Sequence, residues 1–152
     1  MKLPLYSILI LFFLLLSCKF MDKKTDVLAQ YQWKNRIVVI FSENKENDIF
    51  KKQIQLFLEN KEELKERDLV IFQVFKNEGR NPNQKIISNS DIELLQKRFD
   101  FHFDTENKNN FAVFLVGKDG GTKLKTENKT LNIENLFGVI DAMPMRQSEI
   151  KR

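Results

Sequence analysis

Three short runs of consecutive apolar residues constrain this chain most: Ile37-Val38-Val39-Ile40-Phe41, Leu69-Val70-Ile71-Phe72-Gln73-Val74-Phe75 and Phe111-Ala112-Val113-Phe114-Leu115-Val116. They are rich in β-branched and aromatic residues and lack the polar alternation of a half-solvated strand, so they predict strands buried on both faces. A sheet of such strands needs helices on either side. Between the first two runs, Phe50, Ile54, Phe57 and Leu64 recur at helical spacing behind Asn47 or Asp48 as the N-cap. Between the second and third, Ser90-Asp91-Ile92-Glu93 reads as a capping box, with Ile92, Leu95 and Phe99 on one face of the helix it opens. After the third run, Asp119-Gly120 within Gly117-Lys118-Asp119-Gly120-Gly121 predicts a hairpin turn of the primed kind. Thr122 to Thr126 is then a fourth, antiparallel strand. Asn132 caps a last helix with the face Ile133, Leu136, Phe137 and Ile140, kinked or ended by Pro144.

The resulting order, β-α-β-α-β-β-α, is of the α/β class. Two right-handed crossovers, a hairpin and a helix give a four-stranded mixed sheet between helices, which resembles the thioredoxin fold. The 152 residues suffice for a single core, and 14 Phe exclude a disordered chain. One Cys excludes an internal disulfide framework. The formal net charge of +4 is a small difference between 25 basic and 21 acidic side chains that are interspersed along the chain. A nucleic-acid binder would cluster its basic residues on one face, so no nucleic-acid partner is expected.

Lys2 is followed by an uncharged apolar stretch from Leu3 to Leu16, then Ser17, Cys18 and Lys19. That stretch is short of the roughly 20 residues a stable transmembrane helix needs and suits the h-region of a signal peptide. Leu15-Leu16-Ser17-Cys18 resembles a bacterial lipobox, in which cleavage precedes the cysteine and lipid is attached to its thiol and new amine. Residues 1–17 are therefore expected to be a lipoprotein signal peptide, 18–29 a tether beginning at lipidated Cys18, and 30–152 the folded domain. Several acyl chains hold a protein stably, since each buried methylene adds about 0.8 kcal/mol. Lys19 in place of an aspartate implies, by resemblance to bacterial sorting signals, the outer membrane facing the periplasm.

A thioredoxin-like chain carries its thiol where the first strand feeds its helix, because a helix N-terminus lowers a thiol's pKa. Here that junction reads Ser42-Glu43-Asn44-Lys45-Glu46-Asn47-Asp48, and no cysteine follows Cys18 anywhere. The proline such folds place before the third strand is replaced by Asn109-Asn110. Thiol-disulfide exchange and thiol peroxidase chemistry are excluded by missing atoms, and no catalytic residue is assigned. The lone His102 with Asp100 and Asp104 lacks the ligand number of a zinc site, and Asp119-Gly120-Gly121 lacks the spacing of a calcium loop. No glycine-rich phosphate loop is present, so neither metal nor cofactor is expected.

Tyr31-Gln32-Trp33-Lys34-Asn35-Arg36, Glu66-Arg67-Asp68-Leu69-Val70, the Gly117 to Gly121 turn and Ile140-Asp141-Ala142-Met143-Pro144-Met145-Arg146-Gln147 together carry a resemblance. From about residue 27 to 150 the chain resembles an uncharacterised bacterial family of thioredoxin-like domains related to the DUDES domains of secreted animal matrix proteins. The resemblance implies a thioredoxin-like or peroxiredoxin-like fold in the envelope or outside the cell, with no established reaction. Read from chemistry, Trp33 would cover an end of the sheet, and Asp141 and Arg146 would pair around Pro144. At least one of Met143 and Met145 would be core. Arg36, Arg67 and Arg146 are the candidates for an anion- or partner-binding surface. The function expected is a membrane-tethered, non-redox binding or structural domain of the bacterial envelope, with the membrane and an envelope protein as partners. The alternative is an enzyme with a cysteine-free polar site, in which Ser42, Asn44 and Asn47 line a pocket with Arg36 or Arg146.

Overall fold

The structure, a computed structural model, describes residues 26–104 and 110–151. Its central strand, β1 (Arg36–Ser42), is buried at every position. β2 (Leu69–Phe75) runs parallel to it on one side and β4 (Phe111–Val116) antiparallel on the other. β5 (Thr122–Glu127) pairs with β4, and a two-residue strand, β3 (Gly79–Arg80), pairs with the end of β2. The sheet order is β3-β2-β1-β4-β5. Among the described residues five strands are present where four were expected, because β3 has no sequence pattern long enough to register. Only the β1-to-β2 connection is a parallel crossover; the chain turns back at β3, so β4 arrives antiparallel to β1, not as a second crossover.

Helix α1 (Asp48–Glu59) is capped by Asn47, whose Oδ1 accepts from the Ile49 and Phe50 N–H groups. It stops at Asn60, and a separate short helix, α2 (Lys61–Glu66), carries Leu64 into the core. Helix α3 (Asn89–Phe99) has its capping box two residues earlier than the sequence suggests. Ser88, not Ser90, accepts from the Asp91 N–H, and Asp91 reaches back to the Ser88 N–H. Asn132 caps α4 (Ile133–Asp141) as expected. Pro144 ends that helix by opening another: it occupies the first turn of α5 (Pro144–Ile150), where its missing N–H costs nothing.

Two cores follow from the pleat of the sheet. On one face Ile37, Val39, Phe41, Phe72 and Phe114 meet Leu95 and Phe99 of α3. Phe41 stacks on Phe101 at 4.5 Å between centroids, and Tyr31 meets Phe72 edge-on at 5.4 Å. On the other face Val38, Ile40, Val113 and Leu115 meet Phe50 and Phe57 of α1 and Leu136 and Ile140 of α4. Leu28 is buried too, so the packed fold reaches back before Ala29. Cys18 and the expected leader lie outside the described residues, as does Asn109.

Gly117 and Gly121 close the β4–β5 hairpin by a hydrogen bond of 2.9 Å, and the Gly120 N–H donates to the Gly117 carbonyl. Gly120 alone in this loop has positive φ, +85°. This is a three-residue loop, a type I turn followed by a left-handed glycine, and not the primed two-residue turn expected; a separate register shift between Leu115 and Val116 leaves Lys123 as an extra residue on β5.

Candidate functional site

The two ends of β1 hold the two candidate sites. At its start, Arg36 is fully buried. Its Nη1 donates to the Arg67 carbonyl at 2.9 Å and to Glu149 Oε2 at 3.2 Å, and its Nη2 to Glu149 Oε1 at 3.4 Å. Lys118 Nζ bonds Glu149 and Asp68 at 2.7 Å each. Arg67 makes a two-pronged contact with Asp141, 3.0 Å from Nε and 2.7 Å from Nη2, and lies over the Phe137 ring at 4.3 Å. Arg146, 6% exposed, donates to Asp141 at 3.2 Å and to Glu66 at 2.5 Å.

The fold therefore brings Arg36, Arg67 and Arg146 together. It does so by three routes: the entry to the central strand, the exit of α2, and the first turns of α5, which Pro144 directs back across the sheet end. Yet each guanidinium is bonded to a carboxylate. Arg36, Arg67, Arg146 and Lys118 face Glu66, Asp68, Asp141 and Glu149, so the cluster is a neutral network and not an open anion surface. Buried cations need such partners, since an unpaired one would carry its full desolvation penalty. Hydrogen bonds from Arg67, and then Arg146, hold the Asp141 carboxyl below its usual pKa against the opposing effect of burial. For Glu149 burial pushes the pKa up, but bonds from Lys118 and Arg36 outweigh it and the net direction is down. The Glu66 bond raises Arg146 further.

Asp141 was legible as the partner of Arg146. Lys118 and Glu149 were missed, since only the i, i+3 spacing of Arg146 and Glu149 hints at either, and nothing local ties Lys118 to Asp68. Met143 is half-buried against the second core, whereas Met145 is 37% exposed. Trp33 does not cover the sheet end: it is 63% exposed, held at φ +65° with its N–H donating to the Lys118 carbonyl. The backbone at this turn is tied down, and its left-handed geometry throws the indole outward.

At the far end of β1, about 20 Å away at the strand rise of some 3.3 Å per residue, lies the strand-to-helix junction. Ser42 is buried and its Oγ donates to the Asn44 carbonyl at 2.9 Å. Asn44 Oδ1 accepts from the Glu46 N–H, and Asn47 is consumed as the α1 cap. Asn110 clasps the backbone of Asp104 from both sides of its amide, and its carbonyl accepts from the Glu43 N–H. Ser42, Asn44 and Asn47 thus do not share a pocket with Arg36 or Arg146. His102 is exposed, its Nε2 3.7 Å from Asp100. Asp119 serves the turn, accepting from the Gly121 N–H and Lys123.

Residues 27–149 match the family described as Domain of unknown function (DUF4174). The chain belongs to that family. No curated protein matches it. Among solved structures, the DUF4174 domain is similar to the reduced 2-Cys peroxiredoxin of Plasmodium vivax, with a TM-score of 0.56 and 16% identity over 80% of this chain and 72% of that one. The mitochondrial 2-Cys peroxiredoxin of Plasmodium falciparum gives 0.54 and 15% over 80% and 82%. A cysteine-to-serine mutant of the peroxiredoxin 6 of Arenicola marina gives 0.53 and 13% over 76% and 63%. At these identities the likeness is one of fold, and the DUF4174 domain is thioredoxin-like in architecture.

Proposed function

We propose that this DUF4174 protein is a lipid-anchored, non-thiol binding domain of the bacterial cell envelope, held by Cys18 in the outer membrane and facing the periplasm. Its kinship with the DUDES domains of secreted matrix proteins belongs to the same reading. One observation carries it. The junction where a thioredoxin fold keeps its nucleophile holds no sulfur, and its Ser42, Asn44 and Asn47 are turned onto their own backbone as a turn bond and a helix cap. The arginine network fixes the end of the sheet, and each of its three guanidiniums is already held by a carboxylate, with none left over to polarise a substrate. A rebuilt polar enzyme site would need those groups to converge, and they occupy opposite ends of β1.

The anchor is tested by mass spectrometry of protein extracted from the native membrane. The expected result is a chain beginning at Cys18 and carrying acyl mass, with Cys18→Ser accumulating as a precursor that keeps residues 1–17. An unmodified Cys18 thiol in mature protein would overturn the anchored reading.

A further inference from the structure

The sheet has one edge that is only partly covered. β3 pairs with Gln73 and Val74 of β2, so Leu69 to Phe72 have no strand partner on that side among the described residues. The direction of their backbone groups follows from one bond. The Arg36 N–H donates to the Asp68 carbonyl, so the even-numbered residues of β2 turn their N–H and C=O toward β1. The odd-numbered residues turn outward, which the bonding of Gln73 to Arg80 and of the Phe75 N–H to Glu78 at the covered end bears out. Leu69 and Ile71 therefore present their peptide groups to the free edge.

That edge is the floor of a groove of about 480 Å³. Leu58, 63% exposed, stands on its α1 wall, and Pro82 and Gln84 close the end next to β3. Lys61 and Lys65 line the rim one turn of α2 apart, both exposed, and neither ammonium group makes an ion pair or hydrogen bond among the described residues. Apolar wall, unpaired strand edge and two unpaired cations on one rim are complementary to an extended segment with an apolar face and acidic flanks. A second copy pairing β2 to β2 about a two-fold axis would bring the two sets of Lys61 and Lys65 toward each other, which disfavours it.

We propose that the free edge of β2 docks an extended, acid-flanked segment of a partner protein by strand addition at Leu69 and Ile71. This rests on the binding reading above and gives it a surface. Recognition is chiefly through main chain, so the side-chain requirement is loose: alternating apolar residues between acidic ends.

The test uses the full-length protein in detergent and a blocked, fluorescently labelled peptide alternating valine and threonine between pairs of glutamates. Anisotropy should show saturable binding, and hydrogen exchange read by mass spectrometry should slow across Leu69 to Phe72. Lys61→Glu with Lys65→Glu should weaken binding about tenfold, as expected for two rim ion pairs reversed, and should improve binding of a peptide with lysines in place of glutamates. A peptide N-methylated at every valine and threonine, so that no N–H is left to face β2 in either orientation, should fail to bind, an arm that holds even if the double variant folds poorly. Equal binding of the N-methylated peptide, unchanged exchange at Leu69 to Phe72, or concentration-dependent protection there without peptide would each overturn the proposal. None of these outcomes bears on Cys18 or on thiol chemistry, so the groove and the anchored, non-thiol reading fail separately.

Discussion

Asp141→Asn separates a structural arginine network from a disguised anion site. The substitution keeps the shape of the side chain and removes its charge, and one of its two acceptors becomes an NH2 facing a guanidinium. Arg67 loses the carboxylate it holds at 3.0 and 2.7 Å, and Arg146 the one at 3.2 Å. Breaking a fully buried pair costs about 3–5 kcal/mol and an exposed one about 0–1. Arg67 and Arg146 are mostly buried, while the Asp141 side chain is 35% exposed. The expected loss is intermediate, about 2 kcal/mol, which lowers Tm by roughly 6–10 °C for a domain of this size. The pH dependence supplies the control. The folded pKa of Asp141 is depressed, so its stabilisation is present above the unfolded value near 4 and disappears as pH falls through the folded value. Wild type and variant should differ at pH 7 and converge in urea titrations as the pH falls below the depressed folded value. Equal Tm at pH 7 would show that Asp141 does not hold the arginines, and saturable rescue of the variant by phosphate would show that they form an anion site.

Gly120→Val should cost about 1–2 kcal/mol by calorimetry, because the added Cβ meets only the movable end of Gln32 at 3.4 Å and the penalty is the φ of +85°. Ser88→Ala should destabilise by about 1 kcal/mol through loss of the α3 cap, read from urea midpoints. Gln53 is fully buried, with Oε1 accepting from the Leu131 N–H at 2.6 Å and Nε2 donating to its carbonyl at 3.3 Å. Gln53→Leu orphans both groups and should cost about 2–4 kcal/mol in the same assay.

The parts of this fold that sequence disclosed are those governed by local rules. The apolar runs place β1, β2 and β4 within a residue of their observed ends, Asn132 is the cap the pattern names, and Asn47 is one of the two it offers for α1. Ser88 was missed because Ser90 offers the same chemistry two residues on, and the choice between them depends on where α3 meets Phe41. β3 is two residues long, too short to show a periodicity, although its partners on β2 lie only five to seven residues away. Gln53 sits on the apolar face of α1, where only its contact with Leu131 explains a polar residue. The convergence of the three arginines was beyond sequence too, because it depends on α5 folding back over the end of β1.

The proposed role involves no thiol chemistry, and turnover by the mature protein decides the matter. Purified from its native membrane, it should consume peroxide and reduce a disulfide substrate no faster than buffer, before and after treatment with a reductant. Saturable turnover of either substrate would overturn this, and a loss of that turnover in Ser42→Ala at unchanged Tm would place a working catalytic group at the junction where the structure shows only a turn bond and a helix cap.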